Sequence, residues 1–236
     1  MNIGFERINP VPLYLAGTTQ ALLNAYTWTS KARIVTDFKT ELKRNLRTCQ
    51  FGRCCFCRRL LYDDYAAQLE HFVDKDSYPE HRFEIRNLAV SCGTCNVKKN
   101  GYFSKWMAGY RRLTNNPNAI RIPVFSIQLN SGAQFPTNSA DFRWVNPYVH
   151  NYSDHIAIAR GWVFTWHSPT GRRTVRGLRL NDLAEVELRA LKEKLEMRGG
   201  MLSMLVASMS ELEVHRARDI ARVVAKVITR RRNARN

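Results

Sequence analysis

The sequence contains no long hydrophobic run. Its longest apolar-leaning windows, such as residues 201–209, are well short of the roughly 20 residues that a membrane-spanning helix requires. The first seven residues do not combine a basic segment, an unbroken apolar stretch and a small-residue cleavage site, so they lack the pattern of a signal peptide. We therefore expect a soluble, cytoplasmic protein with no membrane partner.

Acidic residues are scarce. The 236 residues include 20 Asp and Glu against 37 Lys and Arg, which gives a formal net charge of +17 at pH 7. Such an excess favours a polyanionic partner, nucleic acid ahead of a membrane surface. Charge alone leaves open a basic protein of ribosomal type or one that is only soluble. With 44% hydrophobic residues, the chain can bury a sizeable core as one large domain or two small units.

Cysteine is present but concentrated. Four of the six cysteines form two close pairs with Cys-x-x-Cys spacing, namely Cys54 with Cys57 and Cys92 with Cys95. In a reducing compartment such pairs favour metal ligation over disulfides, and two pairs complete the tetrahedral shell of a zinc ion. The 34 residues between the pairs exceed the about 15 to 20 of a simple zinc ribbon, so the clamp must close around an inserted element. Cys55 is an alternative ligand, but only Cys54 has the two-residue spacing to Cys57. Cys49 is expected to be a packed thiol.

The inserted element contains Glu70, His71 and Asp74, a histidine with carboxylates at positions −1 and +3. Histidine titrates near neutral pH and can accept a proton from water. A neighbouring carboxylate can ligate a divalent ion, which neutralises charge developing on a phosphoryl group. An isolated Glu-His pair is more often structural, but the zinc frame around this pair favours a hydrolytic site.

Four fragments follow one another along the chain: Cys54-Cys55-Phe56-Cys57, Glu70-His71, Asn87-Leu88 and Cys92-Gly93-Thr94-Cys95-Asn96-Val97-Lys98-Lys99. In this order, over about residues 52–102, the chain resembles the HNH endonuclease family. The ββα-metal core of that family reads Cys-x-x-Cys, acid-His, Asn-Leu and Cys-x-x-Cys-Asn-x-x-Lys. The ordered combination is specific, although each fragment by itself is not. The resemblance implies a divalent-metal-dependent endonuclease that hydrolyses phosphodiester bonds in nucleic acid.

The resemblance also implies roles for individual residues. His71 is expected to activate water as the general base, and Asn87 to orient the catalytic loop. Asn96 is expected to bind the catalytic ion, Mg²⁺ or Mn²⁺, while zinc on the four cysteines only holds the fold. Glu70 stands where the family commonly has Asp and is expected to share the ion, with Asp74 as the alternative ligand.

Three lysines near these motifs, Lys75, Lys98 and Lys99, are candidate nucleic-acid contacts, because a lysine there can neutralise a phosphate beside the scissile one. For Lys98 and Lys99, ordinary solvated lysines are an equally good interpretation. His81, in a Tyr-Pro-Glu-His stretch, is expected at the surface rather than among the ligands.

Shorter fragments carry a second resemblance: Glu70-His71-Phe72 with Lys75 and Tyr78-Pro79, Asn146-Pro147-Tyr148 before Asp154-His155, and Leu178-Arg179-Leu180-Asn181. They are similar to HNH nucleases of bacterial anti-phage systems, including the nuclease component of Septu and of related retron systems. That resemblance implies an ATPase partner and a role in defence. Packing is the alternative role of these fragments, and for His155 a partly buried position at a strand start is favoured.

A non-catalytic zinc module that binds nucleic acid or a protein is the competing hypothesis. Such a module has no need to combine Glu70, His71 and Asn96, so the combination favours an enzyme. Neither hypothesis distinguishes DNA from RNA, because basic helices attract phosphates of both.

Hydrophobic periodicity predicts the elements around this core. Residues 30–47 form an amphipathic helix with a basic outer face. Residues 156–166 and 172–178 are two β-compatible runs around Ser168-Pro169-Thr170-Gly171, a turn signal that predicts a hairpin.

Capping-box spacing predicts helices in the C-terminal region, at Asp182 with Glu185 and at Ser210 with Glu213. The predicted organisation is an N-terminal basic helical region, an HNH nuclease core with the zinc site, a loop-rich region with the β-hairpin and a C-terminal basic helical region. These occupy residues 1–50, 51–106, 107–180 and 181–236. The predicted fold class is α+β, with a zinc-stabilised ββα-metal core embedded in helices and an additional β-hairpin.

Overall fold

A computed structural model describes residues 3–117, 119–130, 132–159 and 162–182, and beyond them residues 184–185, 188, 218–219, 221–223 and 225–226. The chain divides into two compact units, Met1–Leu183 and Ala184–Asn236. The described residues of the second unit are helical. The helices predicted for that region otherwise lie outside the described residues.

The first unit is a mixed α+β fold with two small sheets, as expected. Its α-helices are α1 (Gln20–Asn24), α2 (Arg33–Cys49), α3 (Gly93–Thr114) and α4 (Pro169–Gly177). Its strands are β1 (Ala67–His71), β2 (Leu88–Cys92), β3 (Ile156–Ala159) and β4 (Val163–Trp166), with 3₁₀ turns at Pro79–His81, Ile85–Asn87 and Ser139–Asp141. None of the described helices combines the length and the apolar content that a bilayer crossing needs.

Helix α2 confirms the amphipathic helix predicted at residues 30–47. The side chains on its inner face are buried: Val35, Phe38, Leu42 and Leu46. Ile34, four residues before Phe38, is only half-buried, whereas Val35 is fully buried in the core. The helix therefore presents one apolar face to the core and its basic residues to the other side.

Strands β1 and β2 form an antiparallel ladder that runs from Ala67 opposite Cys92 to His71 opposite Leu88. Every residue of β2 is buried. Helix α3 begins at Gly93, immediately after β2, and the Cys92 sulfur caps it by accepting a hydrogen bond from the Cys95 N–H. Two strands and a helix thus follow one another and pack together.

The predicted hairpin exists, but at a different place. Strand β3 pairs with β4, with Ile156 opposite Trp166, so both strands lie within the first predicted run. The strand predicted at residues 172–178 is wrong, because these residues lie in α4. Ser168 accepts a hydrogen bond from the Gly171 N–H and Pro169 stands in the first turn, so the Ser-Pro pair starts a helix instead of a β-turn.

The described residues between α3 and β3 are mostly loop, as expected, yet they pack closely. Phe125 and Phe142 form an isolated β-bridge, and their ring centroids lie 5.0 Å apart. The Phe142 ring also lies 5.8 Å from that of Phe72, the residue after His71. This loop region therefore covers the His71 end of β1.

Candidate metal centre and catalytic site

The structure brings the four paired cysteines together. Cys54 and Cys57 lie in the turn after α2, Cys92 ends β2, and Cys95 lies in the first turn of α3. Their sulfurs are buried and all lie within 4.8 Å of one another, with 3.9 Å between those of Cys57 and Cys92. A tetrahedron of zinc–thiolate bonds of about 2.3 Å places sulfurs about 3.8 Å apart. The cluster therefore fits a zinc ion, and Cys55 is not part of it.

Hydrogen bonds from β2 hold the first cysteine turn in place. The buried Gln50 amide donates to the Val90 carbonyl and accepts from the Val90 N–H, both at 2.8 Å. The Cys55 N–H donates to the same carbonyl at 2.9 Å. Because two side-chain bonds and one backbone bond converge on Val90, the turn stays beside β2, where its sulfurs meet Cys92.

In the absence of a cation, the surroundings of the cluster favour neutral thiols. Burial raises the pKa of the Cys54 thiol, and hydrogen bonds among the neighbouring thiols raise the pKa of Cys92 and Cys95 well above the usual range. Backbone N–H groups point at two of the sulfurs, since Cys92 donates to Cys54 at 3.3 Å and Cys95 to Cys92 at 3.4 Å. Four buried thiols lose their protons together only when a metal ion binds, because the positive charge of the ion offsets the repulsion among the four thiolates.

His71 lies at the opposite end of the ladder, where β1 ends. Its side chain is buried, and its Nε2 lies 2.9 Å from the Arg82 carbonyl oxygen. A carbonyl only accepts, so Nε2 carries the proton of the neutral ring and Nδ1 carries the lone pair. Burial lowers the pKa of His71 to about 4. The ring is therefore neutral at pH 7, with its lone pair on Nδ1, and the same burial makes it a weaker base than a solvent-exposed histidine.

Asn87 fixes the segment that follows His71. Its side-chain amide donates to the carbonyls of Val73 and His81, at 3.1 and 2.9 Å, and its Oδ1 accepts from the Val73 N–H at 2.7 Å. The Asn87 carbonyl also accepts from the Phe72 N–H. Asn87 is fully buried, so these bonds define the path of the chain after the histidine.

Glu70 is paired with Lys99. Both side chains are buried, at 3% and 2% exposure, and the Lys99 ammonium contacts a Glu70 carboxylate oxygen and the His71 carbonyl. Burial lowers the pKa of Lys99 to about 7. Lys99 therefore lies in the core and not on a surface that a nucleic acid touches.

The other proposed oxygen ligands also have partners. The Asn96 amide donates to the Gln68 side chain at 3.0 Å, and its oxygen accepts from Asn100 at 3.2 Å. The Asp74 carboxylate accepts from the Ser77 N–H and hydroxyl, at 2.8 and 2.7 Å. Within the described part of the chain, the four thiols are the one cluster of three or more Cys, His, Asp or Glu ligands. As placed, Glu70, Asn96 and Asp74 do not fit a shared divalent ion.

Two further lysines lie near the surface, each beside a carboxylate. Lys75 forms an ion pair with Asp76 at 2.6 Å, and Lys98 lies 3.5 Å from an Asp182 oxygen. His81 is buried, so the expectation of a surface position is wrong. Its ring packs between those of Tyr78 and Phe135, and the latter comes from a loop distant in sequence.

Several residues around His71 have no signal in the sequence motifs. The Trp28 ring meets the His71 ring edge-on, with 4.3 Å between centroids, and the Lys39 ammonium lies 4.6 Å from the Trp28 ring. The Tyr148 hydroxyl donates to the Leu88 carbonyl at 2.6 Å. These residues come from segments distant in sequence, so no local spacing identifies them as neighbours of the β1–β2 ladder. The fragment Asn146-Pro147-Tyr148 of the second resemblance is the one sequence signal that includes any of them, namely Tyr148.

The remaining fragments of the second resemblance have structural roles here. The Asn181 side chain forms two hydrogen bonds with β4. Its amide oxygen accepts from the Phe164 N–H, and its amide nitrogen donates to the Phe164 carbonyl. His155 immediately precedes β3, partly buried, with Nδ1 2.6 Å from the Ser168 hydroxyl. Both arrangements tie the β3–β4 hairpin to its neighbours.

The structure thus defines a mixed α+β protein with a buried cluster of four cysteines that fits a zinc ion. Comparison with known proteins gives one particular relative: the chain is 37% identical to the Septu protein PtuB of Bacillus thuringiensis over 68 residues. That stretch is 28% of this chain and 26% of the relative, so the similarity covers about a quarter of each protein. No protein-family model and no solved structure matches the chain.

Proposed function

We propose that this protein is an HNH endonuclease that hydrolyses phosphodiester bonds and acts in bacterial anti-phage defence. The observation that carries the proposal is the strand–strand–helix unit built on the four-cysteine cluster, with His71 ending β1 and Asn87 immediately preceding β2. This is the order of elements in a ββα-metal core. The similarity to a Septu protein supports the defence role.

In the proposed reaction, His71 is the general base. Its Nδ1 takes a proton from the attacking water, while the Nε2–H bond to the Arg82 carbonyl keeps the ring oriented. Asn87 holds the chain on either side of the histidine. Zinc on Cys54, Cys57, Cys92 and Cys95 would supply folding free energy and no chemistry.

We also propose that activity depends on Mg²⁺ or Mn²⁺, with Asn96 and Glu70 as ligands and Asp74 as the alternative. Because Glu70 is paired with Lys99 and Asn96 with Gln68, these residues must exchange partners before they bind an ion. No step of the reaction is therefore assigned to that ion.

The proposed substrate is DNA or RNA, and the proposed partner is an ATPase subunit. The net charge of +17 supports a polyanionic substrate. The proposed non-specific phosphate contacts lie on the outer face of α2, where four basic residues each stand beside a carboxylate: Arg33, Lys43, Arg44 and Arg47. Lys75 and Lys98 are further candidates. The ATPase follows only from the resemblance to defence nucleases.

Cleavage assays test the nuclease proposal. Zinc-loaded protein with Mg²⁺ or Mn²⁺ is expected to cut at least one member of a panel of DNA and RNA substrates and to leave 5′-phosphate ends, in assays run with and without the product of the neighbouring gene. His71→Ala is expected to lower the rate by about 10²- to 10⁴-fold, since it removes the base. His167→Ala, which alters an exposed histidine, is the matched control and keeps the rate.

A non-catalytic zinc module is the second candidate, and the Glu70–Lys99 pair favours it because this pair occupies a carboxylate that the reaction would use. That function predicts salt-sensitive nucleic-acid or protein binding that survives His71→Ala, without cleavage of any substrate. Equal cleavage by the wild type and His71→Ala would remove His71 from the mechanism.

A further inference from the structure

Arg58 occupies an unusual place for an arginine. It directly follows the zinc-site residue Cys57, and its side chain is 1% exposed. The guanidinium carbon lies 3.6 Å from the centre of the Phe5 ring and 4.0 Å from the centre of the Tyr152 ring. The charged group is thus enclosed between two aromatic faces, on the residue that follows the first cysteine pair.

This cation has few partners of its own. Its Nη2 donates to the Glu6 carbonyl at 3.3 Å, while Nε and Nη1 have no hydrogen-bond partner among the described residues. No carboxylate forms a salt bridge with Arg58 in that part of the chain. Lys99, the other buried cation of this region, has Glu70. An isolated charge is costly to bury, so Arg58 needs negative charge nearby.

The thiol cluster supplies that charge when it holds zinc. A divalent ion on four thiolates has a net formal charge of about −2. The backbone N–H of Arg58 donates to the Cys54 carbonyl at 3.1 Å, so the backbone of Arg58 closes the first cysteine turn. Burial lowers the pKa of the Arg58 guanidinium, and Tyr152, Cys55, Cys54 and, last, the Glu6 carboxylate act in the opposite direction.

The same stack reaches the N-terminal segment. The Tyr152 hydroxyl donates to the Phe56 carbonyl, inside the first cysteine turn, at 2.8 Å. The Glu6 carbonyl accepts from the Tyr152 N–H at 3.1 Å, and the Glu6 carboxylate accepts from the Ser153 N–H at 2.9 Å. Phe5 and Glu6 are therefore held against the cysteine turn through Arg58 and Tyr152.

We propose that Arg58 is the buried counter-charge of the thiolate zinc centre, and that its stack with Phe5 and Tyr152 couples zinc retention to the docking of the N-terminal segment. The proposal rests on zinc in the four-cysteine cluster and not on nuclease activity. The role of Arg58 can therefore be contradicted while the nuclease proposal stands, and the reverse is also true.

Zinc release from the full-length protein tests this role. Competition with a chromogenic chelator measures zinc affinity, and circular dichroism checks that each variant is folded. Arg58→Met keeps the length of the side chain without its charge and is expected to weaken zinc binding about 10- to 100-fold. Arg58→Lys keeps the charge but loses the planar group that stacks between Phe5 and Tyr152, so its loss of zinc affinity is expected to be small but measurable, about threefold. Arg33→Met, which removes the same charge at a position 94% exposed, is the matched control and is expected to leave zinc affinity unchanged.

Cobalt substitution gives a second readout that packing alone does not move. The sulfur-to-cobalt charge-transfer bands should shift to longer wavelength in Arg58→Met, because thiolates without a nearby cation give up electrons more readily. Arg58→Lys and Arg33→Met should keep the wild-type spectrum. Equal zinc affinity and equal spectra for the wild type and Arg58→Met would overturn the proposal. If Arg58→Met does not fold, Arg58→Lys decides: retention supports a role of charge, and a tenfold or greater loss contradicts it.

Discussion

The two ends of the β1–β2 ladder carry the two sites that the sequence predicts, and the residues are arranged differently at each end. At the Cys92 end, the four sulfurs converge in one buried cluster. At the His71 end, about 13 Å away along the strands, Glu70 is paired with Lys99. Asn96, which directly follows Cys95, is paired with Gln68 nearer to the cysteine end. The first arrangement fits a metal ion as it stands, whereas the second requires an exchange of partners.

The difference teaches how each kind of site is encoded. The local backbone conformation of a Cys-x-x-Cys turn places its two sulfurs close together. Only the distance between the two turns then depends on the tertiary fold. The proposed oxygen ligands come from three different elements, namely β1, the loop after it and the first turn of α3, and they lie toward different ends of the ladder. At the His71 end, the Lys99 ammonium contacts a carboxylate and a backbone carbonyl, which are groups that a divalent ion also binds.

The largest expected effect comes from breaking the cysteine end. Cys57→Ser or Cys95→Ser is expected to abolish cooperative folding of the first unit, because structural zinc contributes about 10–16 kcal/mol of apparent free energy in small zinc domains. Metal analysis of the wild type should return about one zinc per chain. Circular dichroism and thermal unfolding of the variants measure the loss.

Cys49→Ser is the control for this comparison. Cys49 is half-buried and lies outside the cluster, with its sulfur 3.7 Å from the Pro10 carbonyl. We expect it to keep zinc and to unfold near the wild-type temperature. If Cys95→Ser behaves like Cys49→Ser, zinc does not hold this fold.

A smaller effect is expected from breaking the pair at the His71 end. Lys99→Met leaves the Glu70 carboxylate buried without its partner, which costs about 3–5 kcal/mol of unfolding free energy. The double variant Glu70→Gln with Lys99→Met removes both charges and should recover much of that loss. Denaturant unfolding of the single and double variants measures the difference.

Manganese makes this experiment a test of the proposed ion site. If Glu70 is a ligand, Mn²⁺ should stabilise Lys99→Met more than the wild type, because the ion then meets a carboxylate without a competing ammonium. The double variant, which lacks the carboxylate, should show no such gain. Equal responses of all three proteins would assign Glu70 to the fold alone.

Local signals explain what the sequence predicts well. Helix α2 follows from the spacing of its apolar residues, and the two cysteine pairs follow from two-residue spacings. The hairpin was misplaced because Ser168-Pro169 is a signal both for a turn and for a helix start, and only packing decides between them. Gly171 lies so close to the His155 carbonyl that a β-carbon would fall 2.0 Å from that oxygen, a contact that α4 makes with the hairpin.

Lys99 is predicted at the surface as a candidate nucleic-acid contact, although its helical spacing from the cysteines indicates a buried position. Cys92 caps α3 and Cys95, Lys99 and Phe103 follow at intervals of three and four residues, so they share the buried face of the helix. That reasoning places Lys99 in the core, but it does not supply Glu70 as its partner. The pair depends on how α3 packs against β1, which is a property of the whole fold.

Acid gives the smallest expected effect, on the aromatic layer that covers the His71 end. Phe142, which packs on Phe72, also meets the His150 ring at 6.1 Å. Burial, followed by the neighbouring His155, lowers the pKa of His150 to about 4. The folded protein therefore binds fewer protons than the unfolded chain between about pH 6.5 and pH 4, and stability falls as the pH falls through that window. The slope is at most about 1.4 kcal/mol per pH unit for this one group.

His150→Asn isolates this contribution. Asparagine can accept the Asn146 N–H bond that His150 Nδ1 accepts at 3.0 Å, but it does not titrate. Acid would also protonate thiolates that hold a zinc ion, but this effect would be common to both proteins, so the difference between their unfolding free energies removes it. We expect His150→Asn to gain stability relative to the wild type as the pH falls from 6.5 to 4. If the unfolding free energies of the two proteins change with pH in parallel, protonation of His150 does not destabilise the aromatic layer that covers the His71 end. Any acid sensitivity of the protein would then come from other groups, the cysteine cluster included.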